Sequence, residues 1–272
     1  MAPVEWCRIG QFYTTGVEGR SMAHEIADGV WLLDLGLVPP LATNAFLIDG
    51  TLRAPAAPDG DAADAVDESA PDGEVTLVDT GLFYNLHSIR SELADAGYGV
   101  ADLDRVLITH YDLDHTGGLG SLADDLTGPV YIGEADGRLV SGENQPNVFH
   151  HKGLFHRIAR WLFPLPDGID LRHVRGGDEI GRFTAYHTPG HNPGHTVYVH
   201  DSGVAFLGDL VWEEEGELTP PFWLDSYDMR DVRESIRRFA DRTAPFEVAC
   251  MGHGTPITTG VYDAVRRLVE RL

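Results

Sequence analysis

Residues 105–118 read RVLITHYDLDHTGG: an apolar run that stops in a burst of histidine and aspartate, followed by two glycines. Arg105 to Thr109 reads as a buried strand. His110, Asp112, Asp114 and His115 then fall within six consecutive positions of the loop that follows it. Four such side chains packed so tightly repel one another or lack partners unless a cation sits among them. Imidazole and carboxylate together suit zinc, iron or manganese, and the lack of a nearby cysteine disfavours a structural zinc site.

The same grammar recurs on either side. Apolar runs end in Asp or His with Gly close by at Asp79 (LVDTG), at His191 (AYHTPGHNPGH), at Asp209 (AFLGD) and at His253 (CMGHG). Strand interiors have no use for such residues. Loops at one end of the strands of an α/β protein do, because they hold side chains in fixed positions around a site. Together the loops supply seven candidate ligands, His110, Asp112, Asp114, His115, His191, Asp209 and His253. That number suits two metals sharing a bridging group, an arrangement in which a water loses its proton near neutral pH.

Further strands are expected at Asn44 to Asp49, Val75 to Asp79, Val130 to Ile132, Phe183 to Tyr186, Thr196 to Val199, Val204 to Leu207 and Val248 to Met251. Leu86, Ile89 and Leu93 repeat at helical spacing up to Gly97. Helices are also expected from Met229 to Asp241, from Thr258 to Arg271, and over Leu154 to Phe163. In the last, Ile158, Trp161 and Leu162 make an apolar face beside the histidines 150, 151 and 156, expected to pack inward, the alternative being a lid that faces a substrate. His195 follows His191 by four residues, but Pro193 and Gly194 exclude a regular helix there, so it reads as a supporting residue. Arg53 to Glu74 is rich in Ala, Pro, Asp and Gly, with Val66 its only large apolar residue. It buries too little to offset its ordering entropy and reads as an overgrown hairpin loop inside one domain spanning 1–272.

Composition bounds the partners. Forty-three acidic residues against 20 basic ones give a net charge of -23, which opposes a phosphate-backbone footprint, so no nucleic-acid partner is expected. No run approaches the ~18 apolar residues of a membrane helix. The N-terminus lacks a basic start and apolar stretch, and the two cysteines, Cys7 and Cys250, form no disulfide framework, so a cytoplasmic location is expected. Lys152 is the only lysine, every other basic residue being Arg. Acidic excess with almost no lysine resembles the cytoplasmic proteins of salt-accumulating halophiles, whose self-repulsion is screened by salt.

The motifs at Asp79, His110 to Gly118, Thr188 to His195, Gly208-Asp209 and Gly252-His253 run in the order seen in the metallo-β-lactamase superfamily, which this chain resembles from about Val30 onward. The resemblance implies an α/β fold, a four-layer αββα sandwich with metals in a cleft at the shared edge of two sheets. By matching position it implies His110 and His191 on a first metal, Asp114, His115 and His253 on a second, Asp209 bridging, and Asp79 behind the metal loop. Asp112 departs from the commonest pattern, which has a second histidine there. As an oxygen ligand it would change charge and metal preference.

The activity implied is hydrolysis of a small ester, thioester or lactone by a metal-bound hydroxide, with zinc, two ions in the full pattern, and Asp114 orienting the nucleophile or passing its proton on. Iron or manganese also suit the donor set. The 19 residues after His253 are too few for the substrate domain of the glyoxalase II branch, and Leu210, Val211 and Trp212 stand where the homoserine-lactonase branch carries a tyrosine. Two other readings stay open: a mononuclear iron oxygenase like the persulfide dioxygenases, using His110, His191 and Asp209, and a metal-binding protein without catalysis.

Overall fold

The computed structural model describes residues 23–36, 43–50, 74–85 and 87–272. The strands β1 (Ala23–Ala27), β2 (Val30–Asp34), β3 (Asn44–Asp49), β4 (Val75–Val78), β5 (Arg105–Ile108), β6 (Val130–Gly133) and β7 (Leu171–Val174) form one sheet in that order. β1 to β4 pair antiparallel and β4 to β7 parallel. The second sheet uses β8 (Glu179–Ile180), β9 (Phe183–His187), β10 (Thr196–His200) and β11 (Val204–Gly208). A small hairpin follows, β12 (Trp212–Glu214) with β13 (Glu217–Thr219). The last strand, β14 (Val248–Met251), pairs parallel to β11 and completes the second sheet in the order β14-β11-β10-β9-β8. The helices are α1 (Ile89–Asp95), α2 (Leu113–Thr116), α3 (Leu119–Leu122), α4 (Glu134–Val140), α5 (His151–Leu162), α6 (Met229–Arg242) and α7 (Val261–Arg271).

Strand alternation builds the layers. Side chains point to opposite faces with a period of two, so a strand buried on both faces divides its apolar residues between two cores. Val106 and Ile108 of β5 face an outer core with Leu93 of α1 and Leu139 of α4, while Leu107 between them faces the other sheet. Tyr198, Phe206 and Cys250 meet Phe46 and Leu107 in that middle core. Val197, Leu207 and Met251 face Val232, Ile236 and Phe239 of α6 and Leu268 of α7. Three cores between four layers make the αββα sandwich.

The strand and helix assignments of the sequence reading are met to within a few residues. The insertion expected at 53–74 lies outside the described residues except for Glu74, whose carboxylate pairs with Arg105. The strands that flank it, β3 and β4, are paired antiparallel. Leu86 also lies outside the described residues. One expectation is overturned: the apolar face of α5 does not pack inward. Trp161 is 80% exposed and Ile158 and Leu162 are about half exposed, whereas Lys152, Gly153, His156 and Ala159 are buried. The layer beneath α5 is polar, and that inverts the usual rule for a surface helix.

Candidate metal centre

Five strand ends meet at one edge of the sandwich. β4 delivers Asp79, β5 delivers His110, β9 leads to His191, β11 to Asp209 and β14 to His253. Gly208 turns with a φ of +49°, and a Cβ added at Gly252 would collide with Asp209 Oδ1 and His115 Cε1, so glycine keeps this space open.

Asp79 holds one wall. It sits at φ 58°, the left-handed region, a conformation that costs a non-glycine residue energy and is found where a site demands it. Its Oδ1 accepts the Thr109 N–H at 2.8 Å and its Oδ2 the Thr109 hydroxyl at 2.7 Å. Oδ2 also lies 2.8 Å from His115 Nδ1, which assigns the ring's proton to that nitrogen and turns Nε2 toward the centre. On the far side the Asp209 N–H donates to His195 Nε2 at 3.0 Å, and His195 Nδ1 pairs with the Thr188 hydroxyl at 2.8 Å. His195 therefore supports the backbone of Asp209 and turns neither nitrogen toward the centre.

Among the described residues the candidate ligand atoms fall into three groups, one of them Asp112, His191 and Asp225. Those of His110, His191 and Asp209 lie within 4.8 Å of one another, and so do those of Asp114, His115 and His253. His253 Nε2 is 3.2 Å from Asp209 Oδ2 and 3.4 Å from Asp114 Oδ2, which also accepts from the Thr43 hydroxyl at 3.1 Å. Burial opposes charge on His115, but Asp79, Asp114 and Asp209 outweigh it and push its pKa up to about 9. His253 is raised in the same way by Asp209 and Asp114, and Asp114 is lowered, against its burial, by His115 and His253. For His110 burial and the neighbouring His115 outweigh the support of Asp112 and bring it down to about 4. The pocket between Asp114 and Asp209 thus attracts positive charge. His110 Nε2, His115 Nε2 and Asp209 Oδ1 are buried there without a hydrogen-bond partner. Orphaned buried polar atoms are costly, and a divalent cation satisfies these; nitrogen and oxygen donors of this kind fit zinc, iron or manganese.

Asp112 is placed differently. It occupies the N-cap of α2, but its side chain makes no cap hydrogen bond. Its Oδ2 is 2.8 Å from Lys152 Nζ, 3.2 Å from His191 Nε2 and 3.5 Å from His110 Nε2. Its Oδ1 meets His156 Nε2 at 3.1 Å and accepts from the Asn192 amide. These cations and donors, Lys152 foremost, hold its carboxyl well below the usual range although burial opposes it. His156 Nδ1 pairs with the Tyr111 hydroxyl, which lies 2.8 Å from that of Tyr227. Asp136, which the sequence reading also missed, accepts the Gly194 N–H at 2.5 Å and the Tyr111 N–H at 3.2 Å, binding the His110 loop to the His191 loop. Burial pushes its pKa up to about 8.

A cleft of about 720 Å³ opens above these residues. Asp114 and His253 lie on its floor, and Phe83, Phe155, Ile158, Trp212 and Phe222 are among its walls. A mostly apolar cleft with a few convergent polar groups is the ordinary form of a small-molecule site.

Residues 68–253 match the family model of the metallo-beta-lactamase superfamily. The probable metallo-hydrolase YybB of Bacillus subtilis is 29% identical over 189 residues, 68% of this chain and 77% of that protein. Among solved structures, the metallo-beta-lactamase family protein TTHA1429 of Thermus thermophilus superposes with a TM-score of 0.61 at 23% identity, covering 91% of this chain and 80% of that one. TTHA1623, solved in a di-iron-bound form, gives a TM-score of 0.55 at 22% identity over 84% of this chain and 96% of that one. By fold, motif order and family match, this chain belongs to the metallo-beta-lactamase superfamily.

Proposed function

We propose that this chain is a metal-dependent hydrolase of small esters, thioesters or lactones that carry an apolar acyl or aryl group. The observation that carries the reading is the set of orphaned atoms, His115 Nε2 and Asp209 Oδ1 with His110 Nε2, beneath an apolar cleft. Asp114, His115, Asp209 and His253 would hold a divalent metal, zinc being the first choice for such a donor set. Bound there, such an ion supplies Lewis acidity, lowering the pKa of a water and polarising a carbonyl.

The chain's own residues do the rest. Asp114, at the cleft floor and steadied by Thr43, is the group to orient the attacking water and to carry its proton to the leaving group. Asp79 keeps His115 in one tautomer. Phe83, Phe155 and Phe222 desolvate the substrate's apolar part and hold its carbonyl at the floor. The iron-oxygenase reading has less support, since His191 Nε2, one of its three ligand atoms, is 2.9 Å from Lys152 Nζ. The net charge of -23 supports a neutral or cationic small molecule over a polyanion.

The test is turnover of zinc-reconstituted protein on acetyl, butyryl and octanoyl aryl esters, matching thioesters and lactones. The reading predicts kcat/KM rising with acyl length by up to about tenfold, roughly the worth of two buried methylenes. No turnover on any of them, together with oxygen uptake on a persulfide by the iron-loaded protein, would replace it with the oxygenase.

A further inference from the structure

Lys152 is the sole lysine of the chain, is 3% exposed, and reaches from α5 into the place where the family pattern puts the first metal. An ammonium has three N–H donors and no acceptor. Here four acceptors surround it: Asp225 O at 2.6 Å, His191 O at 3.3 Å, Asp112 Oδ2 at 2.8 Å and His191 Nε2 at 2.9 Å. The last two are the atoms that would ligate a first metal. A neutral imidazole nitrogen has one lone pair, and a zinc–nitrogen bond of about 2.0 to 2.1 Å requires it. His191 Nε2 can therefore accept from Lys152 or bind a metal, but not both. Asp112 Oδ1 is likewise committed, to His156 and Asn192.

We infer that the Lys152 ammonium is the permanent occupant of the first metal site, so that the chain binds one divalent metal, at Asp114, His115, Asp209 and His253. Asp112, where the family commonly has histidine, is then the counter-ion of Lys152. The substitution supplies the negative charge that a buried ammonium needs and that an imidazole would not provide. A lysine suits the place because its charge is a compact point on a thin stem, whereas the planar guanidinium that serves everywhere else in this chain would not enter a metal-sized gap. His110 Nε2 is buried without a hydrogen-bond partner, 3.5 Å from Asp112 Oδ2.

The inference rests on the metal-hydrolase reading but is tested without activity. Zinc equivalents are counted by equilibrium dialysis and elemental analysis, and the side chain of Lys152 is followed in lysine-labelled protein by NMR, where a sole lysine gives one unambiguous signal. The expected result is one tight zinc per chain, with the Lys152 ammonium protected from solvent exchange both before and after loading. Lys152→Met, isosteric enough to fill the stem's path, is expected to gain a second equivalent. Two tight equivalents in the unaltered chain, with the lysine signal moving to that of an exposed residue, would overturn the inference while leaving the hydrolase reading intact. No tight zinc in the unaltered chain would overturn both. Should Lys152→Met fail to fold, the two measurements on the unaltered chain decide alone.

Discussion

The two sides of this centre are built from the same residue types and yet are in opposite states. Around Asp112 both carboxylate oxygens have protein donors: Lys152, His156 and Asn192 close on the buried group. Around Asp209 the donors run short: His115 Nε2 and Asp209 Oδ1 lie 3.6 Å apart, and neither has a hydrogen-bond partner. A buried charge is tolerated when it is paired, and a buried lone pair without a donor calls for something to fill the gap. Histidine and aspartate at strand ends do not by themselves make a metal site, for the question is whether the protein has already supplied the cation.

The largest effects should come from carboxylates on the two sides, and they should differ in kind. Asp209→Ala is expected to remove tight metal and to lower kcat/KM about a thousandfold, the several kcal/mol a Lewis acid supplies. Asp112→Asn is expected to keep the zinc but destabilise the fold by about 3 to 5 kcal/mol, because it leaves the Lys152 ammonium buried without its counter-ion. Metal analysis and thermal denaturation on the same two variants read both outcomes. Loss of zinc in Asp112→Asn at unchanged stability would erase the contrast.

A smaller effect is expected at Asp79, whose carboxylate fixes the tautomer of His115. Asp79→Asn, measured by competition with a chromophoric chelator, should weaken zinc binding about 10- to 100-fold. An equal loss of Lys152 protection from exchange would show that the two sides act as one unit.

Much of this was legible before any coordinates. The strand ends at Asp79, His110, Asp209 and His253 could be read because an apolar run that stops in a ligand-type residue with glycine close by has few other uses, and the candidate site lies where those runs stop. Lys152 could not be placed that way. It arrives from a helix whose contact with the strand ends is purely tertiary, and its one signal in the sequence is that an arginine-rich chain keeps a single lysine. The inward face of α5 misled for a related reason. Amphipathicity shows that a helix has two faces, but near a polar centre it is the face with Lys152 and His156 that is buried. Asp136 and Asn192 carried no signal, since a lone Asp or Asn is usually a turn former.

The smallest expected effect separates surface from centre. The acidic excess should make the melting temperature rise from low to molar salt, by about 2 to 4 °C for each kcal/mol of surface repulsion that is screened. The buried Lys152–Asp112 pair is beyond the reach of that screening, so metal stoichiometry should stay constant across the same range. A flat or falling melting temperature would remove the resemblance to salt-adapted proteins, and a stoichiometry that changed with salt would bring solvent into the centre.

The most direct test of the asymmetry is an anomalous-difference map from a zinc-loaded crystal, recorded on both sides of the zinc absorption edge. The account predicts one peak per chain, in contact with Asp114, His115, Asp209 and His253, with the Lys152 side chain still on His191 Nε2. Two peaks bridged by Asp209, or a single peak on His110 and His191 with Lys152 displaced, would contradict it.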